Sequence, residues 1–155
     1  MISIRKALPA EILSFANMET VQGTAEFIIP YTLSKHYVEF SKPNVHYLSI
    51  IGNKDLAGFI MLVLDPDKVS VEFRRIVVAT KGIGTGQAAI TAMENYCQVH
   101  LKRQRIWLDV FEFNQRGRHI YEKLGYSRFN QGNYQGKALI LYEKSFSNLF
   151  QVSET

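Results

Sequence analysis

Three apolar, β-rich runs follow one another through the middle of the chain: "VHYLSIIG" (45–52), "LAGFIMLVLD" (56–65) and "VSVEFRRIVV" (69–78). The links between them are the turn signals Gly52–Asn53–Lys54–Asp55 and Asp65–Pro66–Asp67, far too short for a crossover. The runs must therefore be antiparallel neighbours, and any fold for this chain is built outward from that meander. Directly after it comes "TKGIGTGQAAI" (80–90), with Gly82, Gly84 and Gly86 inside five positions, running into a helical pattern. A chain gives up side chains in this way where its backbone turns sharply or approaches a ligand closely.

The flanking segments complete one continuous unit of 155 residues, read as a single domain over 1–155 without repeats or linkers. "ISIRKA" (2–7) alternates like a strand, and Pro9 opens a short helix, "PAEILSFANME", with Ile12, Leu13, Phe15 and Ala16 expected on one side. "PYTLSKHYVEFS" (30–41) reads as helical, with Leu33, Tyr37 and Phe40 near helical spacing. After the glycines, Ala89, Met93 and Tyr96 mark an amphipathic helix. "RIWLDVF" (105–111) is a strand, "QRGRHIYEKLG" (115–125) a helix ended by Gly125, and "GKALILYEKSF" (136–146) a last strand behind a late hairpin. The expected class is α/β (α+β): a mixed, mostly antiparallel central sheet with helices on both faces, in the order β-α-α-β-β-β-α-β-α-β-β.

Composition narrows the function classes. "MISIRKALPA" reaches charge by residue 5 without an apolar run, so neither a signal peptide nor a membrane span is expected, and the location expected is cytoplasmic. Cys97 is the one cysteine, and His36, His46, His100 and His119 lack ligand spacing, so no metal is expected. Net charge is +4, with short basic groups at Arg74–Arg75, Lys102–Arg103–Arg105 and Arg116–Arg118. None is long enough to read as a nucleic-acid tail, and nucleic acid is not an expected partner.

A strand, a glycine turn and a helix N-terminus together make an anion site, because unpaired N–H groups and the helix dipole face outward. The P-loop pattern is absent, since Gln87 and Ala88 follow Gly86 where Lys and Ser/Thr would stand. The dinucleotide pattern G-x-G-x-x-G fails as well: from Gly82 the third glycine comes one place early, and the loop follows an antiparallel meander.

"KGIGTGQAAI" resembles the Gln/Arg-x-x-Gly-x-Gly/Ala loop of the GNAT superfamily of N-acetyltransferases, with Lys81, Gly84 and Gly86 in the marked places. "NQRGRHIYEKLGY" (114–126) is similar to that family's Asn-x-x-Ala-x-x-x-Tyr-x-x-x-Gly-Phe/Tyr segment through Asn114, Tyr121, Gly125 and Tyr126. "NKDLAGFIML" and "VEFRRIVV" resemble its second hairpin strand and its fourth strand, and "RRIVV…KGIGTG" looks nearest to the ribosomal-protein and small-amine branch. Two departures stand out. Lys81 keeps the charge of the usual Gln/Arg position without a bidentate fork, and Gly117 replaces the common Ala.

The resemblance implies acetyl transfer from acetyl-CoA to a primary amine, with no metal. It assigns the pyrophosphate to the N–H groups of Gly82, Ile83, Gly84, Thr85, Gly86 and Gln87, helped by Lys81, and the pantetheine arm to the strand edge at Ile76, Val77 and Val78. Asn114 matches a residue that contacts the arm, although it reads equally as an N-cap. Tyr121 matches the tyrosine that protonates the leaving thiolate. For the base, Glu72 is favoured, with Ile76 and Val78 on its face by period-2 alternation; Asp109 is the alternative, beside Trp107 and Phe111.

The acceptor is an amine-bearing small molecule, a protein N-terminus or a lysine. Residues 18–44 and 127–138 should govern it, through a mixture of Glu19, Glu26, Tyr31, Tyr37, Glu39, Tyr134 and Gln135. The last strand and the tail "SNLFQVSET" are candidates for pairing in a homodimer. Two other classes compete: a non-catalytic acyl-CoA-binding module, for which Glu72 and Tyr121 would be superfluous, and an RNA- or ribosome-associated protein using the basic groups.

Overall fold

Alternation along the meander sends side chains to two faces, and each face acquires its own helices. In the computed structural model, which describes residues 1–21, 28–79 and 84–147, the strands are β1 (Ile2–Lys6), β2 (Val45–Gly52), β3 (Asp55–Leu64), β4 (Ser70–Val78), β5 (Arg105–Phe111), β6 (Ser127–Tyr134) and β7 (Lys137–Ser145). The helices are α1 (Ile12–Glu19), α2 (Leu33–Phe40), α3 (Thr85–Val99) and α4 (Gln115–Lys123). One seven-stranded sheet runs β1-β2-β3-β4-β5-β7-β6. Every neighbouring pair is antiparallel except β4 and β5, which are parallel. The expected class and element order are those observed. No helix among the described residues is long and apolar enough to cross a membrane.

Two cores result. Leu48 and Ile50 of β2, Ile60 and Leu62 of β3, and Val71 and Phe73 of β4 meet Ala89, Met93 and Cys97 of α3 on one face. Tyr47, Phe59 and Met61 meet Ile12 and Phe15 of α1 on the other. Full burial of each of these large side chains is worth about 1.5–3 kcal/mol. Cys97 is wholly buried and burial pushes its thiol up to about 12, so it is a core residue and not a nucleophile.

Strict alternation does not hold along β4. Met61 pairs with Arg75 and Leu62 with Phe73, which leaves Arg74 as the extra residue of a β-bulge. Before the bulge, Glu72 opposes Val63 on the α1–α2 face; after it, Ile76 opposes Ile60 on the α3–α4 face. Glu72 therefore shares its face with Arg75 and Val77, not with Ile76 and Val78, because one inserted residue reverses the period-2 phase.

The early helices also bury different residues from those their apolar spacing suggests. Leu13 is half exposed, and α2 turns His36 and Glu39 inward while Leu33 and Tyr37 face solvent. Buried ion pairs, described below, decide that orientation. The end signal at Gly125 is read correctly, closing α4 with φ +96°, open to glycine at little cost, and the structure adds Thr32 as the cap of α2, accepting from the Lys35 N–H at 3.1 Å.

Glu11 ties the first turn to the sheet. Its carboxylate accepts from Arg5 at 2.9 and 2.8 Å, from the Leu8 N–H at 2.8 Å and from Ser49 Oγ at 2.8 Å. The Arg5 fork, with Leu8 and Ser49, holds its pKa at about 2, below the ordinary 4.5. A carboxylate whose folded pKa is depressed adds stability above the unfolded value, and that stability drains away as pH falls from about 4.5 towards 2. Glu11→Gln is expected to lower stability by about 1–2 kcal/mol at pH 7. The gap from the parent should close below pH 2, read by urea unfolding across pH; a gap independent of pH would remove this role.

Candidate active site

Strands β4 and β5 part company soon after they meet. They pair only at Ser70–Arg105, Val71–Ile106 and Glu72–Trp107. That closed end is held by side chains: Trp107 Nε1 donates to Asp65 Oδ2 at 2.6 Å, Arg103 donates to the Asp65 carbonyl at 2.9 Å, and Arg105 donates to Glu143 at 2.7 Å and Ser70 Oγ at 3.2 Å. Beyond Glu72 the bulge at Arg74 bends β4 away, leaving its edge without a strand partner through Ile76, Val77 and Val78. A cavity of about 210 Å³ opens in the resulting wedge.

The cavity is charged on its sheet side and apolar on its rim. Glu72, Arg74, Arg75 and Asp109 come from the two splayed strands; Ile28, Ile29 and Tyr31 come from the segment before α2, and Tyr134 and Leu139 from the β6–β7 hairpin. Glu72 is not free. Its two oxygens accept from Arg74 Nη2 at 2.7 Å and Nε at 3.2 Å, and Arg74 Nη1 also donates to Glu39 at 3.2 Å. Glu39 is further ion-paired with Lys42. Asp109 has no ion pair or hydrogen bond from its carboxylate to another described residue. It is accessible through the cavity mouth, yet the surrounding walls desolvate it, and the nearby Glu72 charge adds to the effect. Both raise its pKa, against partial opposition from Arg74 and Arg75.

Tyr121 lies on the other face of the sheet, outside the lining of the cavity. Its ring packs edge-on against Phe73 at 6.1 Å and Tyr126 at 5.9 Å. Burial, with the Asp109 charge adding, pushes its pKa up to about 12, so its proton stays on at neutral pH. The order of α4 places Asn114 at its N-cap, where Oδ1 accepts from the Gly117 N–H at 3.0 Å. A Cβ at position 117 would lie 2.7 Å from Asn114 Nδ2, so glycine there is a steric requirement of this cap.

At the far end of the β4 edge stands the N-terminus of α3. Gly84, at φ +67°, precedes Thr85, and no side chain caps the turn, so among the described residues the N–H groups of Thr85, Gly86 and Gln87 have no acceptor. A Cβ on Gly84 would meet nothing within 4 Å, and one on Gly86 only Val78 Cγ2 at 3.9 Å. The open space, the free donors and the unpaired strand edge fit a phosphate-bearing ligand with an amide-containing arm. Lys81, Gly82 and Ile83 lie outside the described residues, as do Glu26 and the tail beyond residue 147.

Behind the cavity lies a buried network that the apolar pattern concealed. Arg75 Nη1 donates to Glu19 Oε2 at 2.5 Å and to the Ile29 carbonyl at 3.0 Å. His36 Nε2 is 2.6 Å from Glu19 Oε1, and its Nδ1 is 2.8 Å from Tyr47 Oη. A carboxylate only accepts, so Nε2 carries hydrogen and Tyr47 can donate to Nδ1. Burial alone would raise the Glu19 pKa, but His36, Arg75 and the Tyr31 N–H together hold it below the usual range. The Arg75 guanidinium lies 3.8 Å from the Tyr31 ring centroid, with Lys35 Nζ 4.1 Å from it as well. Of the residues expected to govern the acceptor, Tyr31 and Tyr134 line the cavity, and Glu19 and Glu39 are buried partners of its arginines. Tyr37 is half exposed, and Gln135 sits in the hairpin turn. Arg74 was legible in principle from its i, i+2 spacing to Glu72; Arg75–Glu19, 56 residues apart, has no local signal.

The model of the acetyltransferase (GNAT) family matches residues 13–126. No curated protein matches the sequence. Among solved structures, the spermidine N-acetyltransferase from Vibrio cholerae in complex with CoA and spermine superimposes with a TM-score of 0.81 at 17% identity, over 95% of this chain and 96% of that one. An aminoglycoside acetyltransferase, AAC(6')-Ib, in complex with coenzyme A gives 0.80 at 13% identity, over 94% and 95%. A GNAT-family acetyltransferase from Streptococcus pneumoniae gives 0.75 at 20% identity, over 95% and 100%. At these identities what is shared is the fold.

The network yields a measurable cost. Glu19→Gln and Arg75→Met are each expected to destabilise the protein by about 3–5 kcal/mol, since each leaves a buried charge unpaired. The double variant should lose less than the sum of the two, in urea unfolding of all four proteins. Strict additivity would show that the pair does not act as a unit.

Proposed function

Because the chain belongs to the acetyltransferase (GNAT) family, we propose that it moves an acetyl group from acetyl-CoA to a primary amine by direct attack, with Asp109 as base and Tyr121 as donor to the departing sulfur. The observation that carries this reading is the wedge: where β4 and β5 part, a carboxylate without an ion pair among the described residues faces a cavity beside an unpaired strand edge, with the Tyr121 phenol packed against Phe73 of β4 on the other face.

Acetyl-CoA, when bound, supplies the activated acetyl thioester. The chain holds it through the uncapped N–H groups of Gly84, Thr85, Gly86 and Gln87, with Lys81, Gly82 and Ile83 completing the loop in the family's pattern. The free β4 edge at Ile76, Val77 and Val78 offers N–H and C=O groups to the amide arm as an added strand would. Asn114 has its oxygen engaged in the α4 cap, so its contribution to the arm rests on Nδ2.

An alkylammonium of pKa about 10 must lose a proton before it attacks. Asp109 is better suited to take it than Glu72, whose oxygens are both held by Arg74. Desolvation raises the basicity of the Asp109 carboxylate, and access through the cavity mouth lets the amine reach it. Glu72 then serves to fix Arg74. With a pKa of about 12, Tyr121 donates a hydrogen bond to the leaving thiolate; full transfer to a thiolate of ordinary pKa would run uphill.

Acetyl-CoA should raise the melting temperature by several degrees where NAD and ATP do not, and a panel of amines should then release free thiol. Asp109→Asn is expected to lower kcat by about 10²–10⁴-fold and Tyr121→Phe by about 10²-fold. Because the base works deprotonated, kcat/KM should rise with pH through the Asp109 pKa, above the ordinary 3.8, and Asp109→Asn should lose that limb. Stabilisation by NAD or ATP in place of acetyl-CoA would overturn the reading; an Asp109→Asn enzyme of full activity would overturn the base.

A further inference from the structure

The charges of the cavity wall are almost entirely spent on one another. Arg74 is shared between Glu72 and Glu39, Glu39 also holds Lys42, and Arg75 is matched by Glu19 behind the wall. Among the described residues lining the cavity, Asp109 is the one carboxylate without an ion pair. The rest of the lining is apolar or aromatic, through Ile28, Ile29, Val110, Phe111, Tyr134 and Leu139. Even the Tyr31 ring, which could receive an ammonium on its face, already carries Arg75 and Lys35.

We infer that the acceptor is a compact monoamine, one ammonium on an apolar or aromatic body, and that Arg74 excludes polycationic amines by occupying the carboxylates a second ammonium would need. The inference rests on the proposed transferase reading and adds the acceptor's chemical class to it. A first ammonium is received by Asp109. A second one, carried into a cavity of about 210 Å³, would meet two guanidinium groups and, among the described lining residues, no further unpaired carboxylate. Like charges brought together in a confined cavity select against the wrong ligand. The apolar rim, by contrast, has nothing to offer a polyamine chain but covers an aryl or alkyl body well. The size agrees, since the cavity is smaller than the roughly 300 Å³ at which drug-sized sites begin.

The test compares phenethylamine with spermidine as acceptors for the parent protein, Arg74→Gln and Arg74→Lys, each checked for stabilisation by acetyl-CoA. The parent is expected to show at least a tenfold higher kcat/KM for phenethylamine. Arg74→Gln frees Glu72, leaving Glu39 to Lys42, and should move the ratio towards spermidine by tenfold or more, chiefly through KM. Arg74→Lys keeps the charge and should keep the parent's preference, which separates charge from any general disturbance of the bulge. A parent that prefers spermidine, or an Arg74→Gln ratio unchanged from the parent's, would overturn the acceptor class while leaving the transferase reading intact. Acetyl-CoA stabilisation without transfer to any amine would overturn both.

Discussion

Three residue pairs hold β4 to β5, and everything at the site follows from there being no fourth. A parallel pair continued to the end of both strands would bury Asp109 under β4 and close the edge at Ile76–Val78. The closed end is secured by Trp107–Asp65, Arg103 and Arg105, so the strands cannot simply slide into fuller register. The open end is enforced by Arg74, the residue too many in β4. Fixing one end and bending the other gives a wedge whose angle is set by the backbone, and side chains from both faces of the sheet can reach it.

The two faces contribute in different currencies of interaction. On the α3–α4 face the wall is made of packed apolar and aromatic groups, and Tyr121 owes its raised pKa to that packing. On the α1–α2 face the wall is ionic: Glu19, His36, Tyr47 and Arg75 form a buried chain of hydrogen bonds that links α1, α2, β2 and β4. Burying such a chain is costly unless every member is satisfied. Arg75 Nε and Tyr126 Oη are the buried side-chain polar atoms left without a partner among the described residues, and the first of them belongs to this wall.

Element order, class and most boundaries were readable from periodicity and turn chemistry, because the meander, the caps and the glycine turns are local. β2 and β5 run over the very residues their patterns mark. What failed did so for stated reasons. The face of Glu72 was misplaced because a bulge leaves no trace in an apolar pattern that continues on both sides of it. The orientation of α2 was misplaced because His36 and Glu39 are buried by partners distant in sequence, which outweigh the exposed Leu33 and Tyr37. The pairing of Glu72 with Arg74, and the lack of such a partner for Asp109 among the described residues, are also matters of three dimensions, and the proposal of Asp109 as base rests on them.

The wedge has a kinetic side as well. β1 to β4 form one run of antiparallel pairs and β5, β7 and β6 another, and the two runs meet in the three parallel pairs between β4 and β5. The turns within the meander and the β6–β7 hairpin are short, whereas β1 meets β2 across α1 and α2, β5 meets β4 across α3, and β7 meets β5 across α4 and β6, so these pairings carry the larger loop-closure cost. Of them, the β4–β5 seam has the fewest residue pairs to reward it. The proposed chemistry thus sits at the most thinly paired joint of the sheet, where a ligand lying along β4 would act as the missing stretch of strand and complete the sheet that the chain itself leaves unfinished.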